Sequence, residues 1–126
     1  MGLDTSHNAW HGPYSSFNNF RRYLAEKIGI NLNEYIGYMH KDATKELTSI
    51  DHKLMPLFNH SDCDGLLTPD ECKQISEGLD EVLKNITQEE AEHPDNKFHF
   101  SNYNKAKQFR EGCLFAYSLD ENIEFN

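Results

Sequence analysis

Residues His60 to Glu71, HSDCDGLLTPDE, set three carboxylates, Asp62, Asp64 and Glu71, around the glycine Gly65. A hard cation takes roughly six to eight oxygens at about 2.3–2.6 Å. This spacing folds short acidic side chains inward around a sharp turn, and the start of a helix brings in the last carboxylate. The ligands of Ca2+ or another divalent cation held here would be His60, Asp62, Asp64, the Leu66 carbonyl and Glu71. His60 is the weak member, because a neutral imidazole nitrogen is a poor partner for calcium and lowers the expected affinity. The same acidic and imidazole groups give a second chemistry, in which His60, Asp62 and Asp64 hold a metal that generates hydroxide for hydrolysis.

The twelve residues resemble an EF-hand loop, with Asp62, Asp64 and Gly65 at its third, fifth and sixth positions, Thr68 at the ninth and Glu71 at the twelfth. Four departures accompany the match. His60 stands in place of the first aspartate, and Asn59 in place of the usual aromatic. Pro56 interrupts the incoming helix, and no second loop follows for pairing. Without metal, the segment reads as Asx turns at Asp62 and Asp64, a left-handed Gly65, and a helix capped by Thr68 and Glu71. That metal-free turn is favoured over calcium or magnesium, and a transition-metal site comes last. Cys63 and Cys72 lack the paired C-x2-C spacing of zinc sites. Cys72 heads an apolar stripe and reads as a buried thiol. With Cys113 the cysteines number three, an odd and sparse set that suits free thiols in a reducing compartment.

A second constellation lies at the N-terminus. His7, Trp10, His11, Tyr14, Ser15 and Arg21 gather hydrogen-bonding, stacking and cationic groups around the start of a helix. Unpaired N–H groups at a helix start suit a phosphate or carboxylate, an aromatic ring stacks on a base or sugar, and Arg21 neutralises charge. The expected ligand is small and polar or anionic, a nucleotide included. The competing reading gives Trp10 and the Tyr14 ring to the edge of the core and the histidines and serines to local backbone groups, and it carries slightly more weight. The opening MGLDTS also fits an N-myristoylation pattern, which is set aside because the chain has one imperfect loop rather than the several of myristoylated calcium sensors.

The elements that must hold these groups follow from periodicity. An extended arm ends at Gly12-Pro13. Ser15 or Ser16 then caps a helix carrying Phe17, Phe20, Leu24 and Ile28, with Gly29 as its left-handed stop. A shorter amphipathic piece covers Leu32, Tyr35, Ile36 and Met39, and a third segment from Leu47 to Phe58 restarts at Pro56. Thr68-Pro69-Asp70-Glu71 must open a helix, whose stripe is Cys72, Ile75, Leu79, Val82, Leu83 and Ile86. The acidic stretch Thr87 to Lys97, broken by Pro94, reads as a turn and loop. A last helix runs from about Ser101 to Ser118 with Ala106, Phe109, Cys113 and Ala116 or Tyr117 inward, and residues 122–126 alternate like a short strand. The expected fold is mainly α with minor β: one compact helical domain, residues 1–126, with an extended N-terminal arm and a short C-terminal strand.

The 126 residues carry 12 Lys+Arg against 21 Asp+Glu, a formal charge of −9, so no basic face is expected to neutralise a nucleic-acid backbone. Fifteen aromatic residues, 8 Phe, 6 Tyr and 1 Trp, are too many for a disordered chain. No apolar run approaches a membrane span and no secretory leader is visible, so a cytoplasmic protein without a membrane partner is expected. Taken together, MGLDTSHNAWHGPYSSF, NHSDCDGLLTPDEC and KQFREGCLFAYSLDENIEF resemble a family of small uncharacterised proteins of phages and bacteria. That resemblance implies a phage or bacterial origin and no assigned activity. By analogy, such proteins act by binding, either sequestering a nucleotide signal of host defence or blocking a host protein. The expected function is therefore a non-enzymatic binding protein for a small anionic ligand, a nucleotide or a host protein, with self-association left open. The metal-dependent hydrolase on His60, Asp62 and Asp64 is the alternative, disfavoured because no open coordination position and no separate base can be placed.

Overall fold

The computed structural model describes residues 2–36, 43–60, 65–85 and 102–125. Its architecture is mainly α with minor β. The N-terminal arm, expected as a loop, is a hairpin: β1 (Gly2–Asp4) pairs antiparallel with β2 (His11–Pro13), with Leu3 opposite Gly12 and Asp4 opposite His11. Three-residue strands leave too little alternation to be read from sequence. A 3-10 turn, Ser6–Asn8, joins them, and His7 and Asn8 enter the left-handed region at φ 61° and 57°.

Helix α1 (Tyr14–Lys27) starts one residue ahead of the serines expected to cap it. Pro13, with φ −62°, leads the chain in, and no side chain caps the end. Phe17, Phe20 and Leu24 recur three and four residues apart and are fully buried. Gly29 ends the helix at φ 81°, a conformation glycine takes without a Cβ penalty. The amphipathic piece at Leu32 shrinks to one 3-10 turn, Leu32–Glu34, whose Asn31 side chain accepts the Asn33 N–H at 3.0 Å. Met39, expected on its inner face, lies outside the described residues. The segment from Leu47 becomes a 3-10 turn, Leu47–Ser49, and a single helical turn α2 (Met55–Phe58), with Pro56 in the first turn where its missing N–H is not needed.

Helix α3 (Pro69–Asn85) begins where the capping signal put it. The Thr68 N–H donates to Glu71 Oε1 at 3.0 Å and the Glu71 N–H to Thr68 Oγ1 at 3.2 Å, a reciprocal capping box. Thr68→Ala will cost roughly 1 kcal/mol of stability in a denaturant titration; no loss would show that the helix start is held by other means. Cys72, Ile75, Leu79 and Val82 form its buried stripe, and Leu83 is half-buried. Ile86 and the stretch 87–97 are outside the described residues. Helix α4 (Asn102–Ser118) packs along α3 through Ala106, Phe109, Cys113 and Ala116, while Tyr117 turns outward. Strand β4 (Ile123–Glu124) then pairs antiparallel with β3 (Leu66–Leu67), Leu67 opposite Ile123.

The core centres on an aromatic cluster. Trp10 stacks on Phe20 at 5.1 Å and meets Phe17 edge-on at 5.1 Å, and Phe17 also contacts Phe109 and Phe125 at 6.3 and 6.0 Å between centroids. Residues from the arm, α1, α4 and the C-terminal strand thus share one set of rings. Offset and edge-on pairs of this kind add roughly 0.5–1.5 kcal/mol each beyond the area they bury.

Candidate functional site

The arm is locked by its own polar groups before any ligand is considered. The Thr5 N–H donates to the Trp10 carbonyl at 3.0 Å, and the Trp10 N–H donates to Thr5 Oγ1 at 2.8 Å. His11 stands exposed between two acceptors, with Nδ1 3.0 Å from Asp4 Oδ1 and Nε2 2.8 Å from Asn8 Oδ1. His7 closes a different chain: its Nδ1 is 2.7 Å from Ser6 Oγ and its Nε2 2.8 Å from Glu121 Oε1, with the ring edge-on to Phe115. Ser6 Oγ also accepts the Glu124 N–H at 2.9 Å. That order, serine to imidazole to carboxylate, is shared with nucleophile relays. Here the serine oxygen already accepts a backbone N–H, which draws on the lone pairs a nucleophile uses, and the chain serves as a clasp between the arm and the C-terminal strand.

Of the six N-terminal candidates, Trp10 and His11 come together at one pocket, completed by Ala9 and by Lys105 and Gln108 of α4. Its volume is about 200 Å³. The Lys105 ammonium lies 5.5 Å from the Trp10 ring centroid, and the Gln108 amide donates to the Asn8 carbonyl at 2.9 Å, fixing the rim. Trp10 is only 3% exposed, and its indole N–H has no hydrogen-bond acceptor among the described residues. A buried donor left unpaired costs roughly 1–3 kcal/mol. Lys105 and Gln108 escape sequence reasoning because they lie some 100 positions from the arm and only the tertiary fold joins them.

The other candidates sit apart from this pocket. Tyr14 is half-buried at the first residue of α1, Ser15 is exposed beside it, and His7 belongs to the clasp. Arg21, expected to meet an anion, faces inward and is 5% exposed. Its guanidinium donates to the carbonyls of Leu57, Phe58 and His60, the last at 2.6 Å, and to Asn18, while lying over the Phe17 ring. Those carbonyls lie at and just beyond the end of α2, where carbonyls outrun the helix's own donors. Arg21 is a helix C-cap supplied from another helix.

In the 60–71 loop, Asp62, Asp64 and Cys63 lie outside the described residues. His60 Nε2 is 2.9 Å from the Leu66 carbonyl, and its ring packs on Phe125 at 4.0 Å. Gly65, at φ 96°, serves twice, since a Cβ there would also meet the His60 ring at 3.3 Å. Two of the expected oxygen ligands therefore have protein partners: the Leu66 carbonyl takes the His60 ring nitrogen, and the Glu71 carboxylate takes the Thr68 N–H. The strand after Gly65 pairs with β4, filling the position where a second loop pairs in an EF-hand. Compared with protein-family models, with curated proteins and with solved structures, the chain matches none. Among the described residues no helix is long and apolar enough to cross a membrane.

Proposed function

We propose that this chain is a small cytoplasmic binding protein, of phage or bacterial type, that holds a small anion in the pocket between the N-terminal arm and α4. The observation that carries this reading is the meeting of Lys105, His11 and the Trp10 ring around one cavity. An ammonium supplies charge and an aromatic wall excludes water. Size narrows the ligand class. Pockets for drug-sized ligands run from roughly 300 to 1,000 Å³. About 200 Å³ suits one phosphate or a small carboxylate, or the phosphate end alone of a nucleotide. The reading is one of binding, with the ligand held and released intact. A divalent cation at the 60–71 loop remains part of the proposal as a secondary site.

Trp10 is the only tryptophan, so its fluorescence reports on the pocket directly. Inorganic phosphate, acetate and AMP, titrated separately, are expected to shift or quench it saturably. Lys105→Ala should weaken that response about tenfold or more while leaving the melting temperature within a few degrees, because the lysine head is not part of the core. A flat titration with all three anions, or an unchanged response in Lys105→Ala, overturns the pocket reading. Calcium tests the loop separately: a cation bound only by the folded state raises the melting temperature with concentration, and Asp64→Ala should remove that increment.

A further inference from the structure

The C-terminal end of α4 presents bare apolar side chains on the face turned away from its buried stripe. Phe115 is 54% exposed, Leu119 50% and Leu114 37%. Phe115 and Leu119 stand one turn apart, joined by the Leu119 N–H donating to the Phe115 carbonyl at 3.2 Å. Apolar residues scattered singly over a surface need no partner, but these three share one helix end. Phe115 is also braced from below. The His7 ring meets it edge-on at 5.7 Å, and His7 is itself tied to Ser6 and Glu121. A ring held in place before docking loses little rotamer freedom on binding.

The charge around this patch has one sign. Glu111 lies one turn before it, Asp120 and Glu121 directly follow it, and Glu124 is joined to Ser6 of the same clasp; all four are exposed. Residues 111–126 contain no lysine or arginine. The basic residues of α4 are engaged elsewhere, Lys105 over the Trp10 ring, Lys107 over Tyr103 and Arg110 with Asp80. A helix C-terminus is the negative end of its dipole and is stabilised by cations. Yet α4 has no basic residue in its last turn and continues into two carboxylates, the first of which, Asp120, takes the left-handed φ of 56° that glycine or asparagine usually fills. These choices work against the helix end and concentrate negative potential beside the apolar patch, a departure from local preference of the kind found at functional surfaces.

We propose that this end of α4 is a docking surface for a cationic amphipathic helix of a partner protein. The partner's apolar stripe covers Leu114, Phe115 and Leu119, and its lysine and arginine side chains meet the flanking carboxylates. A second copy of this chain is a poor occupant, because it would set the same carboxylates face to face on a protein of formal charge −9. Nucleic acid and an anionic lipid surface are opposed by the same sign. The anion pocket lies on the first half of α4, at Lys105 and Gln108, so the docking surface does not rest on it.

The test uses the full chain and a fluorescein-labelled helical peptide of leucine and lysine only, with its leucines on one helix face, followed by fluorescence anisotropy. Saturable one-to-one binding is expected, and a peptide of the same composition rearranged to lack an apolar face should bind about tenfold more weakly or worse. Phe115→Ser and Leu119→Ser should each weaken binding roughly tenfold, with melting temperatures within a few degrees of the parent. Glu111→Gln with Asp120→Asn should weaken it about threefold or more and flatten its dependence on salt, asparagine being at home in the left-handed region. Glu26→Gln with Glu46→Gln removes the same charge from other exposed positions and should leave binding unchanged. The proposal is overturned if the peptide does not bind, if the rearranged peptide binds as well, if neither serine variant weakens binding, or if the control pair weakens it as much as the pair at 111 and 120. It is also overturned if sedimentation shows a dimer of this chain that Phe115→Ser dissociates, which would give the surface to a second copy.

Discussion

Gly112→Ala will destabilise the protein by roughly 2–3 kcal/mol, against the direction of helix propensity, which favours alanine over glycine by about 0.8–1 kcal/mol. A Cβ at position 112 would stand 2.5 Å from the Ala9 Cβ, 2.8 Å from its Cα and 3.2 Å from its backbone nitrogen. No rotamer change relieves a clash with backbone. Nor can the arm easily withdraw, because the Gln108 amide holds the Asn8 carbonyl and Thr5 holds Trp10. The expected readout is a melting temperature lower by about 10 °C. In an Ala9→Gly background the added cost of Gly112→Ala should fall, since one of the close contacts is gone. A melting temperature that stays level or rises would show that the arm does not lie against α4 at this point.

Arg21→Met will cost about 3 kcal/mol or more, seen as a lower denaturant midpoint with an unchanged slope. Methionine replaces the volume of the stem but removes the charged donor that the Leu57, Phe58 and His60 carbonyls share, and buried acceptors that lose a charged partner lose heavily. Arg21→Lys should recover part of the loss, because one ammonium cannot span acceptors that a planar fork reaches together. If Arg21→Met instead lowers stability by less than about 1 kcal/mol, the guanidinium does not hold the end of α2.

The inward course of Arg21 had a sequence signal. Position 21 follows Phe17 by four residues and precedes Leu24 by three, which puts it on the apolar stripe of α1 rather than the polar face. Residue type suggested an anion contact, and periodicity pointed to the core; periodicity decided where the side chain went. The capping box at Thr68 and Glu71 was fully legible because every bond in it is local. The two buried stripes of α3 and α4 were legible for the same reason. What could not be read was the company these elements keep. The arm's hairpin is too short to show alternation, and Lys105 and Gln108 reach the pocket only through packing. The Trp10 ring belongs to the core, the placement its competing reading gave it, with one side at the pocket wall.

The pairing of β4 bears on the order in which this chain can assemble. Thr5 bridges Phe125, the Glu124 N–H reaches Ser6, and Glu121 reaches His7, contacts that span more than 110 residues. During synthesis the arm leaves the ribosome well ahead of residues 121–125, and its three-residue strands cannot hold a hairpin alone in water. It must wait until residues 121–125 emerge. Until then Leu67 lacks the pairing of Ile123, and the β3 edge has no partner. Bringing such distant segments together requires a large loss of chain entropy before any contact repays it, so this closure belongs late in folding. A nascent chain halted before Ile123 would expose an unpaired strand edge beside bare apolar surface, the form in which this protein is most open to aggregation and to quality-control proteases.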